Sequence, residues 1–160
     1  MKWTLLLSAA ITASHPQLGT GDVPGLSDQS TSVPPFNVSV ELTPRAAAEL
    51  RRRRETIVVV AYFYGLANKR GAKYADEMGQ IYWSEEQDIE LPFAGIARFR
   101  SRKLNASLLN YFEGRKPEVL INVVSGRRTD RDNLLACDIF EDSVYLAVKR
   151  GIQISCDLIH

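Results

Sequence analysis

The hydropathy pattern is dominated by one run, residues 56–64, TIVVVAYFY, which Gly65 closes. Read as a strand, its alternate positions are Ile57, Val59, Ala61, Phe63 on one face and Val58, Val60, Tyr62, Tyr64 on the other. Both faces are apolar, which predicts a strand covered on both sides. A second sheet would supply one cover and short helices the other.

The flanking patterns are shorter. Residues 37–42 alternate, with Val38, Val40 and Leu42 on one side and Asn37, Ser39 and Glu41 on the other. Thr43-Pro44 is a helix start, with Thr as the cap and Pro in the first turn. Ala46, Ala47 and Leu50 give that helix a narrow apolar stripe, and Arg51, Arg52, Arg53 and Arg54 end it where cations meet the negative end of the dipole. A polar loop at 66–79 follows. Short strands are expected at 80–84, 88–92 and 95–100, with a turn at 85–87. Asn105 can cap a second short helix, with Leu108, Leu109 and Phe112 on its apolar side and Gly114 ending it in the left-handed conformation. Strands are read at 118–124, 134–140 and 152–158, and residues 143–148 fit either a strand or a short helix.

These patterns point to a mainly β fold. The expected architecture is a single antiparallel β-sandwich of the immunoglobulin or transthyretin kind, with one or two short helices in its connections. The alternative is an α+β sheet with both helices on one face. No internal repeat and no second domain is visible.

The N-terminus changes the picture of where the protein works. Lys2 is followed by an apolar segment of roughly ten residues and then by small residues, the pattern of a secretory signal peptide at 1–14. Residues 15–36 are rich in Gly, Pro, Ser and Thr and read as a flexible tether. The folded domain is then expected at 37–160. No later stretch is apolar for long enough to span a bilayer. Cys137 and Cys156, the only cysteines, fit a disulfide in an oxidising compartment, which makes the expected location secreted or periplasmic. The net charge of +1 gives no electrostatic reason to expect nucleic acid.

The chemistry available is narrow. The two histidines are His15, in the tether, and His160, the last residue, and neither is placed as a scaffold-held base. That removes Ser-His and Cys-His nucleophile designs and most zinc sites. Asp76-Glu77 and Glu85-Glu86 are possible carboxylate pairs, but they sit in polar stretches where solvated carboxylates are expected. Asp130, Asp132 and Glu141 match positions one, three and twelve of a calcium loop, yet Leu134 and Leu135 stand where a ligand and a glycine belong. The Arg51–Arg54 run has no interleaved aromatics to stack on bases, and four consecutive residues point around all sides of a helix. Asn37 and Asn105 head glycosylation sequons, of use only in a secreting eukaryote. The loop Ser125-Gly126-Arg127-Arg128-Thr129-Asp130 is the candidate recognition loop, directly after a strong strand. Tyr62, Tyr64 and Trp83 are the candidates for an aromatic binding face.

The expected function is therefore that of an exported, non-catalytic β-sandwich, without cofactor or metal, that binds or scaffolds a protein or envelope component. Narrower forms are an inhibitor or immunity-type protein inserting the 125–130 loop, or a carrier of a small apolar ligand. A carboxylate-based hydrolase is the least favoured.

Overall fold

The computed structural model describes residues 30–159, and they form a mainly β fold with few helices. The expected signal peptide, residues 15–29 of the expected tether, and both histidines lie outside the described residues. The elements in order are β1 (Ser30–Val33), β2 (Phe36–Leu42), α1 (Pro44–Arg53), β3 (Ile57–Leu66), β4 (Gln80–Tyr82), β5 (Gln87–Leu91), β6 (Gly95–Phe99), β7 (Arg102–Asn105), β8 (Glu118–Ser125), β9 (Leu135–Cys137), β10 (Phe140–Ser143), α2 (Val144–Arg150) and β11 (Ile152–Leu158).

The apolar run at 56–64 becomes β3, the central strand of a five-stranded sheet. β8 pairs along one edge from Ile57↔Ser125 to Tyr64↔Glu118, and β10 lies beyond it. Along the other edge β5 pairs with the first half of β3 and β4 with the second. A four-stranded sheet runs in the order β6-β2-β11-β9, and β1 and β7 form a separate ribbon. The two larger sheets share one core. Val59, Phe63, Ile121 and Val123 of the first meet Val38, Val40, Ala97 and Ile154 of the second. Phe36 bridges them, stacked on Phe99 at 5.0 Å and edge-on to Phe63 at 6.4 Å. Burial of each such side chain stabilises by about 1.5–3 kcal/mol, so this layer is the main source of stability.

Three expectations need correction. First, the sandwich is not wholly antiparallel: β11 runs parallel to β2, from Ile152↔Val38 to Cys156↔Leu42. The reason is the route of the chain. α2 carries it from β10 in one sheet to β11 in the other, as α1 carries it from β2 to β3, and a helical crossover permits parallel neighbours. Second, order begins before Asn37. β1 falls inside the expected tether, and Val33 and Phe36 are buried. Third, the α-helices do not cover the outer face of β3. They make their principal contacts with β2, β11, β8 and β10 and put Ala46, Leu50, Val144 and Ala147 into the shared core. Val58 and Tyr62 are left half-exposed.

Local signals resolve as physical chemistry predicts. Thr43 Oγ1 accepts the Ala46 amide at 3.2 Å, capping α1. The segment after Asn105 forms 3-10 turns rather than an α-helix, Ala106–Tyr111 and Glu113–Arg115, with Asn105 Oδ1 accepting the Ser107 amide and Gly114 at φ 56°. Phe112 lies so close to Gly65 that a Cβ there would overlap its ring. Residues 143–148 resolve as helix, capped by Ser143. The expected strand at 134–140 is split into β9 and β10.

Cys137 and Cys156 are cross-strand partners on β9 and β11 and form a disulfide with Cα atoms 4.0 Å apart. In the chain-entropy picture a loop of this size stabilises by about 3 kcal/mol. Urea unfolding of the Cys137→Ala/Cys156→Ala variant is expected to show a loss of about that size, with an equal loss in the unmutated chain once reduced.

Candidate functional site

The end of α1 organises one end of the molecule. The helix closes with a six-to-one bond from the Glu55 amide to Leu50 O, 2.8 Å, and a five-to-two bond from the Arg54 amide to Arg51 O, 3.1 Å. That is a Schellman closure, whose left-handed residue is usually glycine. Here it is Arg54, at φ 58°. A non-glycine residue in this conformation costs about 1–2 kcal/mol.

The closure turns Glu55 inward, where its side chain is only 4% exposed. Its carboxylate is fully occupied. Oε1 accepts the amides of Thr56 (2.9 Å) and Arg128 (3.1 Å), and Oε2 accepts the amide (2.9 Å) and hydroxyl (3.1 Å) of Thr129. Burial alone would push this carboxyl up, but the four donors outweigh it and hold its pKa below the ordinary value. Glu55 is therefore an ionised brace that fixes the 125–130 loop against the start of β3.

The loop is held elsewhere too. The Gly126 amide donates to Thr56 O at 2.8 Å, and a Cβ on Gly126 would overlap the Thr56 hydroxyl. Ser125 is buried: its amide donates to Asn133 Oδ1 and its hydroxyl accepts the Leu134 amide. Arg128 grips Glu90 of β5 in a two-pronged pair, Nε to Oε1 at 2.5 Å and Nη2 to Oε2 at 2.6 Å, and Thr56 Oγ1 donates to the same carboxylate. Arg128 and Thr56 hold the Glu90 pKa down at about 2. Asp130 Oδ2 accepts from Arg53 at 2.6 Å and its Oδ1 from the Asp132 amide, so the carboxylate that suggested a calcium loop serves loop geometry, and Leu135 is core. Of the six residues in this loop, five make structural bonds. Arg127, at φ 55°, is exposed and pairs with nothing among the described residues.

The four-arginine run divides in the same way. Arg52 and Arg53 both bond Glu49, whose pKa they hold down at about 2, and Arg53 also takes Asp130. Arg51 and Arg54 have no acidic partner among the described residues. They line a groove of about 480 Å³ with Leu42, Ala47, Leu50, Glu55, Thr56 and the β5–β6 turn, Pro92, Phe93 and Ala94. Phe93 is 72% exposed, a large apolar ring standing in solvent at the groove wall. The sequence pattern gave no role to Phe93 and treated Arg54 only as one of four helix-ending cations. The signals were there: an aromatic in a tight turn between two strands, and a helix end with no glycine after it.

Two of the three residues of the expected aromatic face lie in the core. Tyr64 is 1% exposed, its hydroxyl donates to Glu141, and burial followed by that carboxylate pushes its pKa up. Trp83 packs on Phe63 at 5.1 Å and donates Nε1–H to Tyr64 O at 3.0 Å. Only Tyr62 stays half-exposed, its pKa raised by burial and then by Glu86 and Asp88. Of the carboxylate pairs, Asp76 Oδ1 accepts the Met78 and Gln80 amides of its own turn, while Glu77, Glu85 and Glu86 are exposed. Among the described residues no three His, Cys, Asp or Glu are grouped to hold a metal ion, and no helix is long and apolar enough to cross a membrane.

Two outcomes follow from this geometry. A carboxyl whose folded pKa lies below its unfolded value, about 4.3 for Glu, supports the fold above that pH and loses its contribution as pH falls through the folded value. The Glu90 carboxyl should therefore titrate by NMR with a midpoint near 2, and Arg128→Met should move it up towards 4.3. Glu55→Gln places an amide donor against the loop donors, so it should cost about 1–3 kcal/mol in urea unfolding and speed hydrogen exchange at the 128 and 129 amides.

No protein-family model, curated protein or solved structure matches this chain.

Proposed function

We propose that the chain is an exported, non-catalytic β-sandwich protein that binds another macromolecule outside the cytoplasm, through the end of the fold built from α1, the β5–β6 turn and the 125–130 loop. The observation that carries this reading is a pair of arginines with no acidic partner among the described residues, Arg51 and Arg54, lining one groove with the exposed ring of Phe93, while Arg127 stands exposed on the loop bonded to the groove residues Glu55 and Thr56. Solvated ring surface of that size is favourable to cover, and Arg and aromatic residues are favoured at protein interfaces. The brace from Glu55 keeps the surface rigid, which lowers the entropy lost on association.

Export is supported by the signal-like N-terminus and by the Cys137–Cys156 disulfide, a bond that persists in oxidising compartments. A binding role is supported by the state of the carboxylates: those with shifted pKa values are all held ionised by structural partners, the opposite of an acid catalyst. A carrier with a pocket beside Tyr62 and Trp83 is less favoured, because Trp83 is buried against Phe63 and Tyr64 is buried as well. The inhibitor form keeps one feature, a loop braced from within that projects Arg127.

The test is photo-cross-linking in intact cells, with benzoyl-phenylalanine replacing Phe93, Arg127 or Tyr62 in turn. Positions 93 and 127 should give a discrete adduct with one partner outside the cytoplasm, and position 62 should not. Recovery of the chain in the cytosol with both thiols open to alkylation, or adducts from position 62 alone, would overturn the reading.

A further inference from the structure

We infer that the groove between α1 and the β5–β6 turn recognises an acidic, apolar peptide segment, with carboxylates on Arg51 and Arg54 and an apolar side chain between Leu50 and Phe93. This rests on the binding role proposed above and specifies the partner's chemistry.

Charge is the first ground. Arg51 and Arg54 are three residues apart, line the same groove, and have no acidic partner among the described residues, whereas their neighbours Arg52 and Arg53 are both engaged. A free guanidinium offers a planar fork that matches a carboxylate. The single carboxylate in the groove, Glu55, does not compete for these arginines, because its oxygens already accept four hydrogen bonds from loop and strand donors.

The second ground is backbone conformation. Arg54 occupies the one position of the helix closure where a Cβ is sterically disfavoured and glycine is not. The fold would be as well served by glycine, so the side chain, not the backbone, gives the residue its use there. Arg127 repeats the pattern on the loop bonded to Glu55 and Thr56, two of the groove's lining residues.

The third ground is shape. The groove holds about 480 Å³, enough for a few side chains, and its apolar lining is Leu42, Ala47, Leu50, Pro92 and Phe93. A membrane surface fits less well. Lipid docking favours a broad cationic face, and here Glu49, Glu90 and Asp130 stand around the same end and offset the other arginines.

The test is fluorescence anisotropy on the oxidised chain with a labelled hexapeptide of alternating Glu and Leu. Peptides with Gln for Glu, or Ser for Leu, are the controls. Saturable binding is expected for the Glu–Leu peptide and at least tenfold weaker binding for either control. Arg54→Gly is the decisive variant, since it should unfold at an equal or higher temperature yet bind about tenfold or more weakly. Arg51→Ala should weaken binding without moving the unfolding temperature. No binding of the Glu–Leu peptide, equal binding of the Gln–Leu peptide, or an Arg54→Gly variant that binds as tightly as the unmutated chain would each overturn the inference. So would preferential binding to phosphatidylcholine vesicles containing phosphatidylglycerol, which would assign the groove to lipid. If the peptides fail while positions 93 and 127 still cross-link a partner, only this inference falls. If no adduct forms, the binding role falls with it.

Discussion

Much of this molecule turns on a carboxylate that cannot face water. Glu55 sits between the end of α1 and the start of β3, and its charge is tolerable in that setting only because four donors converge on it. Two of those donors are amides of the 125–130 loop, so holding the charge and fixing the loop are the same event. The brace also joins the two halves of the sheet in sequence, since β3 follows Glu55 directly and the loop follows β8. Neighbouring ion pairs, Arg128 with Glu90 and Arg53 with Asp130, are more exposed and contribute orientation more than stability.

The core places that brace. β3 pairs with three strands and faces the second sheet through Val59 and Phe63, and the two α-helices serve as crossovers between sheets rather than as a cover. Because α1 ends where β3 begins, its arginines are carried to the same end as the loop and the β5–β6 turn. The crossover brings the arginines to the end of β3 where strand pairing also places the β5–β6 turn and the 125–130 loop.

A division between structural and free arginines runs through this end of the fold. Arg52, Arg53 and Arg128 hold carboxylates; Arg51, Arg54 and Arg127 hold none among the described residues. Two of the free ones sit at positive φ, where the backbone gains nothing from a side chain. That combination is the physical basis for reading this end, and not the tyrosines of β3, as the surface that meets a partner.

The sequence alone was sufficient for the mainly β class, for β3 as the central strand, for the capped start of α1 and for the pairing of the two cysteines. Each rests on local periodicity, on a cap or on elimination, and these act within a few residues. The candidate site was legible only in part: the 125–130 loop could be picked out, but not which of its residues are free. Tyr64 and Trp83 look identical in sequence whether they are core or surface, and burial depends on which strands lie beside them. The parallel β2–β11 pair followed from the route of a crossover, which no periodicity encodes. Whether an arginine in a run of four is free was decided by Glu49 on the same helix and by Asp130, seventy-seven residues away in sequence. Charge is written in the chain, but its partner is set by the fold, because an ion pair forms over a few ångströms of space and is indifferent to separation along the backbone.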